Sequence, residues 1–141
     1  MSSPSISTHS ERHLYRLAEA ISAHDLDSIV ACFAPDLLSE QPAHPARNFR
    51  GREQLRSNWA QILSGIKDFR AELIAQAVNV DIVWSEWRWC GTRASGEPFA
   101  MNGVTVQRVG AEGIDRVRLF MEPVDLGGAD VASAVREAVA P

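Results

Sequence analysis

Two stretches carry ionisable side chains at positions where a strand would set them among apolar neighbours. Glu86 and Arg88 lie in one, Arg118 and Glu122 in another, and Arg108 falls in the run between them. Alternate residues of a strand share a face, so Glu86 lies with Arg88, and Arg118 with Phe120 and Glu122. Burying such groups is costly unless they are paired or neutralised. A carboxyl in an apolar hollow resists ionisation, and its pKa rises toward neutrality, as a general acid or base requires. The expected chemistry is proton transfer by Glu122. Arg88 and Glu86 would orient it, or Arg88 would polarise a substrate oxygen. The plainer alternative makes Glu122 a rim carboxylate paired with Arg118, and makes Glu86 and Arg88 cross-strand partners facing solvent or a second subunit.

Trp59, Trp84, Trp87, Trp89, Phe120 and Met101 are the expected substrate-binding residues, lining a pocket for a flat, largely apolar molecule. Large aromatics also serve simply to fill a core. His44, between Pro42 and Pro45, could close the pocket mouth and join in acid–base work, or be an ordinary surface residue. His9, His13 and His24 fall at helix starts and ends and read as solvated. Asp36, Glu40 and His44 match no metal-ligand spacing, so no metal is expected. No cofactor is expected either. Gly127-Gly128 lacks the Lys-Ser/Thr of a phosphate loop, and signatures of a serine or cysteine nucleophile are missing. Cys32 and Cys90 read as small buried residues rather than a disulfide.

These residues need elements to hold them. Thr8-His-Ser-Glu11 matches a capping box and should open a helix with Leu14, Leu17, Ala18 and Ile21 on one side. His24-Asp25 breaks it, and a second short helix carries Leu26, Ile29, Val30 and Phe33 until Pro35. Asp36 to Gln41 can make a short strand, followed by a loop marked by Pro42, Pro45 and Asn48. Gly51 opens a third helix with the stripe Leu55, Trp59, Ile62, Leu63, Ile66. Beyond Lys67 the apolar period drops to two, with Phe69, Ala71, Leu73, Ala75 and Ala77 alternating with polar residues. Turns at Asn79–Asp81, Ser95–Glu97 and Gly110–Gly113 then divide four antiparallel strands. After Gly127-Gly128, residues 129–139 can form a short helix capped by Asp130.

The order indicates an α+β fold, with three N-terminal helices covering one face of a curved antiparallel sheet. Residues 1–8 read as a flexible leader, 9–126 as the domain and 127–141 as a tail. Apolar residues on both sheet faces call for a second cover, so a homodimer through the sheet face is expected. The chain of 141 residues has a formal net charge of −4 and no basic cluster, which argues against nucleic-acid binding. No apolar run is long enough for a membrane span, and the N-terminus lacks a signal-peptide layout, so a cytoplasmic protein is expected.

With Phe49-Arg-Gly-Arg-Glu53 opening the third helix, Trp59 within it, Trp87-Arg-Trp-Cys-Gly-Thr92, and Gly113-Ile-Asp-Arg-Val-Arg-Leu-Phe-Met-Glu-Pro123, the chain resembles the nuclear transport factor 2-like superfamily and its SnoaL-like group over about residues 10–125. The resemblance implies a cone: a bent sheet around a long helix, with a pocket opening at one end. Its members include ketosteroid isomerases, scytalone dehydratase, limonene epoxide hydrolase and polyketide cyclases, alongside binding domains without catalysis. In the epoxide hydrolase and the cyclases an essential aspartate lies near the end of the last long strand, where this chain has Glu122. The epoxide hydrolase also carries an arginine and an aspartate two apart, a pair that Glu86 and Arg88 match in reversed order. The only tyrosine, Tyr15, lies on the first helix and does not match the isomerase's oxyanion donor. The implied function is cofactor-independent acid–base chemistry on a small hydrophobic molecule: cyclisation, isomerisation, dehydration or epoxide opening. The alternative is a non-catalytic binder of such a molecule or a dimeric accessory protein.

Overall fold

The computed structural model describes residues 8–141, so the leader expected over 1–8 lies, apart from Thr8, outside the described residues. Helix α1 (His9–Ser22) opens with the capping box: the Thr8 hydroxyl accepts from the Glu11 amide at 3.1 Å, and the Glu11 carboxylate accepts from the Thr8 amide at 3.4 Å. Leu14, Leu17 and Ile21 bury its apolar face. The chain turns at His24, in the left-handed region at φ 56°, into α2 (Leu26–Ala31). Asp25 caps that helix through the Ser28 hydroxyl and amide, and these bonds hold its carboxyl below the usual range.

Strand β1 (Phe33–Glu40) begins earlier than the helical stripe implied, taking Phe33 from the helix and running through Pro35. Proline cannot donate to a ladder, and the pairing of β1 is irregular between Phe33 and Leu38. A single 3-10 turn (Pro45–Arg47) leads to the two-residue β2 (Phe49–Arg50) and then to α3 (Arg52–Gly65). The meander β3 (Arg70–Asn79), β4 (Ile82–Thr92), β5 (Pro98–Gly110) and β6 (Gly113–Pro123) follows as expected. The sheet order is β2-β1-β6-β5-β4-β3.

One pairing departs from an all-antiparallel sheet. β1 runs parallel to β6, with Ser39 opposite Val117 and Glu40 opposite Arg118. Parallel neighbours need a long connection, and here the path passes through α3 and four strands, so no local turn signal betrays it. The result is an α+β fold whose curved, unclosed mixed sheet wraps the N-terminal helices. At Gly103, inside the bend, a Cβ would fall 2.1 Å from the Phe120 carbonyl oxygen, so only glycine lets β5 and β6 approach so closely.

A bulge lies between Leu73 and Ala75 on β3 and reverses the alternation expected there. Ala75 and Ala77 turn outward, and Gln76 turns inward opposite the buried Ser85.

His13 and His24 are not solvated, contrary to expectation. His13 is buried and its Nε2–H donates to the Cys32 carbonyl at 2.6 Å, which also accepts from the Ile114 amide at 3.0 Å. Burial lowers its pKa. His24 Nε2 donates to the Phe69 carbonyl at 2.7 Å. Both imidazoles tie the helices to the sheet, His13 through the Cys32 carbonyl just before β1 and His24 through the Phe69 carbonyl just before β3. Cys32 and Cys90 are free, and burial pushes the Cys32 thiol up. The tail forms α4 (Val131–Val139), capped by Asp130, with no buried residue. Among the described residues no helix is long and apolar enough to cross a membrane.

Candidate functional site

The cone encloses a cavity of about 270 Å³ between α1, α3 and the inner face of the sheet. Odd-numbered residues of β4, β5 and β6 face it: Trp87 and Trp89, Met101, Thr105 and Gln107, Val117 and Leu119. Helix α3 contributes Leu55, Asn58, Trp59 and Ile62, one side of its stripe. Trp59 stands edge-on to Phe69 at 5.8 Å and to Trp89 at 5.9 Å, so part of the wall is an aromatic cluster.

The polar groups on this wall are neutral and mostly joined to one another. Trp87 Nε1 donates to the Thr105 hydroxyl at 2.8 Å, and that hydroxyl donates to Gln107 Oε1 at 2.7 Å. Gln107 Nε2 donates to the Val83 carbonyl at 2.9 Å and to the Ser85 hydroxyl at 2.7 Å. This relay joins five residues of two strands and is fully buried, so it fixes the rotamers that shape the wall. Among the described residues, three buried side-chain polar atoms remain without partners: Trp89 Nε1 and both amide atoms of Gln76. Trp89 Nε1 belongs to a cavity-lining residue, and the bulge that turned Gln76 inward left its amide unserved.

At the mouth, the loop after β1 brings Gln41, Arg47 and Phe49 to the cavity. Arg47 Nη1 donates to Gln41 Oε1 at 3.2 Å, and the Asn48 side-chain oxygen accepts from the Gln41 amide at 2.8 Å. His44, in the same loop, reaches sideways to the end of β6, where its Nε2 lies 3.0 Å from Glu122 Oε1. Both side chains are open to solvent, 37% for His44 and 56% for Glu122.

Trp59, Trp87, Trp89 and Met101 line the cavity, as expected of them. Trp84, Glu86, Arg88, Phe120 and Glu122 do not. They occupy the outer face of the sheet, because β4 runs without a bulge, β6 alternates regularly beyond its bulge at Asp115, and the even positions there point away from the helices. The expectation of charged groups on the concave face is corrected accordingly. Arg88 does not meet Glu86 but lies 3.4 Å from Glu72 across the strand pair, an exposed contact. Glu122 meets His44 rather than Arg118. Sequence reasoning missed Arg47, Gln41, Asn58, Ser39, Thr105 and Gln107. The alternation Thr105-Val-Gln107 within an apolar strand was the readable signal for the relay, and Asn58 on the α3 stripe was another. Among the described residues no group of three or more His, Cys, Asp or Glu side chains could hold a metal ion.

The family model of the SnoaL-like domain matches residues 14–118. No curated protein matches the chain. Among solved structures, the chain is similar to wild-type IdmH, a putative polyketide cyclase from Streptomyces antibioticus, at 21% identity and TM-score 0.71, over 82% of this chain and 93% of that one. A putative SnoaL-like polyketide cyclase from Shewanella denitrificans aligns at 11% identity and TM-score 0.70, over 82% and 92%. A hypothetical protein from Catenulispora acidiphila with a ketosteroid isomerase-like fold, solved with trimethylamine, aligns at 21% identity and TM-score 0.66, over 75% and 82%. At these identities the likeness shows a shared fold.

Proposed function

The chain belongs to the SnoaL-like domain family, and from that premise we propose that its cone takes up one small, flat, mostly apolar molecule and orients it through hydrogen bonds. One observation carries this reading: among the described residues, no carboxylate or imidazole lines the cavity. Aromatic walls exclude water from the bound molecule, and Trp89 Nε1 offers a donor that a ligand oxygen would satisfy. The role is binding and presentation, without proton transfer inside the hollow. Titration with a panel of polycyclic phenols and ketones tests it through tryptophan fluorescence. Quenching that weakens in Trp89→Phe supports the reading; no response from any compound refutes it.

A second reading keeps the acid–base enzyme and moves its chemistry to the mouth. The specific support is the 3.0 Å contact between His44 and Glu122, a pairing in which the imidazole and carboxylate can share and pass a proton. The cyclase names of similar structures give it context. In this reading Glu122→Gln and His44→Gln each abolish turnover and leave ligand affinity intact. Affinity and turnover that are both unchanged remove it.

The homodimer belongs here as well. Trp84 and Phe120, 41% and 43% exposed on the outer sheet face, are supplied with apolar neighbours if a second copy covers them. Light scattering should report a dimer that Trp84→Glu splits; a monomeric wild type refutes it. Two free cysteines suit a reducing compartment such as the cytoplasm.

A further inference from the structure

We propose that the molecule in the cone is an anion, an apolar body bearing a carboxylate, and that Arg47 with Gln41 holds the charged end at the mouth. The inference rests on the binding reading above and adds the ligand's charge to it. Arg47 is the only ionisable residue lining the cavity among the described residues. It also lines the shallow groove that continues outward from the mouth, along with Gln41, Asn48, Gln54 and Asn58, and no acidic residue lines that groove either.

The hydrogen bonds at the mouth present donors rather than acceptors. Arginine can only donate, so the Gln41 atom 3.2 Å from Arg47 Nη1 is the carbonyl oxygen, which leaves the Gln41 NH2 group as a second donor. Asn58 Oδ1 is likewise occupied, accepting from Gln54 Nε2 at 2.7 Å, and its NH2 group remains. Arg47 forms no ion pair among the described residues, while His44, on the same loop, engages the nearby Glu122. The Gln41 backbone is pinned by Asn48, so the donors are held in place before a ligand arrives. A planar guanidinium and two amide NH2 groups around an apolar hollow fit a carboxylate, with its two in-plane acceptor oxygens. A cationic ligand would meet repulsion there, and a neutral one would leave the guanidinium without a counter-charge.

The test uses the full chain and three probes with one body: 2-naphthoate, 2-acetylnaphthalene and 2-naphthylmethylammonium, titrated by calorimetry at low and high salt. The naphthoate should bind about tenfold tighter than the ketone at low salt, as a charge-assisted hydrogen bond predicts, and the ammonium weakest. That advantage should shrink with ionic strength, because Arg47 is exposed. Arg47→Gln should reduce naphthoate to the level of the ketone, and Arg47→Lys should restore part of the preference. Arg50→Gln removes an exposed charge of the same sign nearby, outside the cavity lining, and should leave the preference intact. Equal binding of naphthoate and ketone overturns the inference while the cavity reading stands. So does a preference that survives Arg47→Gln, or one that Arg50→Gln removes as fully. Failure of all three probes to bind overturns the cavity reading, and this inference with it.

Discussion

Trp84 and Trp87 lie three residues apart on one strand, and the sheet treats them oppositely. Trp87 is 3% exposed, its ring on the cavity wall and its Nε1 bonded to Thr105. Trp84 faces outward beside Glu86 and Arg88, with no helix over it. The same contrast divides the chemistry-bearing residues. The inner face holds neutral groups, most of which satisfy one another, and the outer face and mouth hold the ions, each in contact with water. Burial explains the division. A neutral donor–acceptor relay survives desolvation, whereas a carboxylate or guanidinium would need a partner of its own inside the cone. Inner polar residues therefore act on shape and outer ones on charge.

Replacing each tryptophan by alanine is the sharpest way to break that contrast. Trp87→Ala should cost about 3–5 kcal/mol in urea unfolding, since it removes a large buried ring. Trp84→Ala in the monomer should stay within about 0.5 kcal/mol. Similar losses for both would mean that the outer face is as much a core as the inner one. Next in size is Thr105→Val, which keeps the shape but leaves Trp87 Nε1 and Gln107 Oε1 unserved, for a loss of about 1–3 kcal/mol. No loss would mean that the relay is incidental to the wall.

The third test concerns protons. His13 has its pKa lowered from 6.5 chiefly by burial, so the unfolded chain binds a proton that the folded one resists. Stability is then full above pH 6.5 and falls as pH drops from there toward the folded pKa, with a slope of at most about 1.4 kcal/mol per pH unit. In His13→Gln this slope should flatten; an unchanged slope assigns it to other groups. The smallest effect is expected at the rim, where Glu122→Gln should change stability by less than about 1 kcal/mol, as for other exposed pairs. A larger loss would bring Glu122 into the set of buried, structure-bearing residues.

Much of the scaffold was legible from residue patterns. The capping box at Thr8 and Glu11, the α3 stripe through Leu55, Trp59 and Ile62, and the hairpin turns at Gly96 and Gly113 are local signals, and each forms as read. The site was half legible. Trp59, Trp87, Trp89 and Met101 reach the cavity, while Glu86, Arg88, Trp84, Phe120 and Glu122 face away from it. Pattern told which residues share a face. It did not tell which face meets the helices, because both carry tryptophan and both carry polar groups. The β3 bulge shows the same limit: one extra residue between Leu73 and Ala75 exchanged Gln76 for Ala75 and Ala77, and no turn residue announced it.

The amino-acid sequence by itself determined the order of the main elements, the α+β class and, away from the bulges, the face-sharing sets, since these follow from periodicities and caps a few residues long. Tertiary structure alone decided that β1 lies parallel to β6, that the loop after β1 therefore brings Arg47 to the cavity and His44 to Glu122, and that His13 is sealed beneath Cys32. Those contacts join residues far apart in the chain. They depend on how the sheet closes over the helices, and no local spacing carries that information.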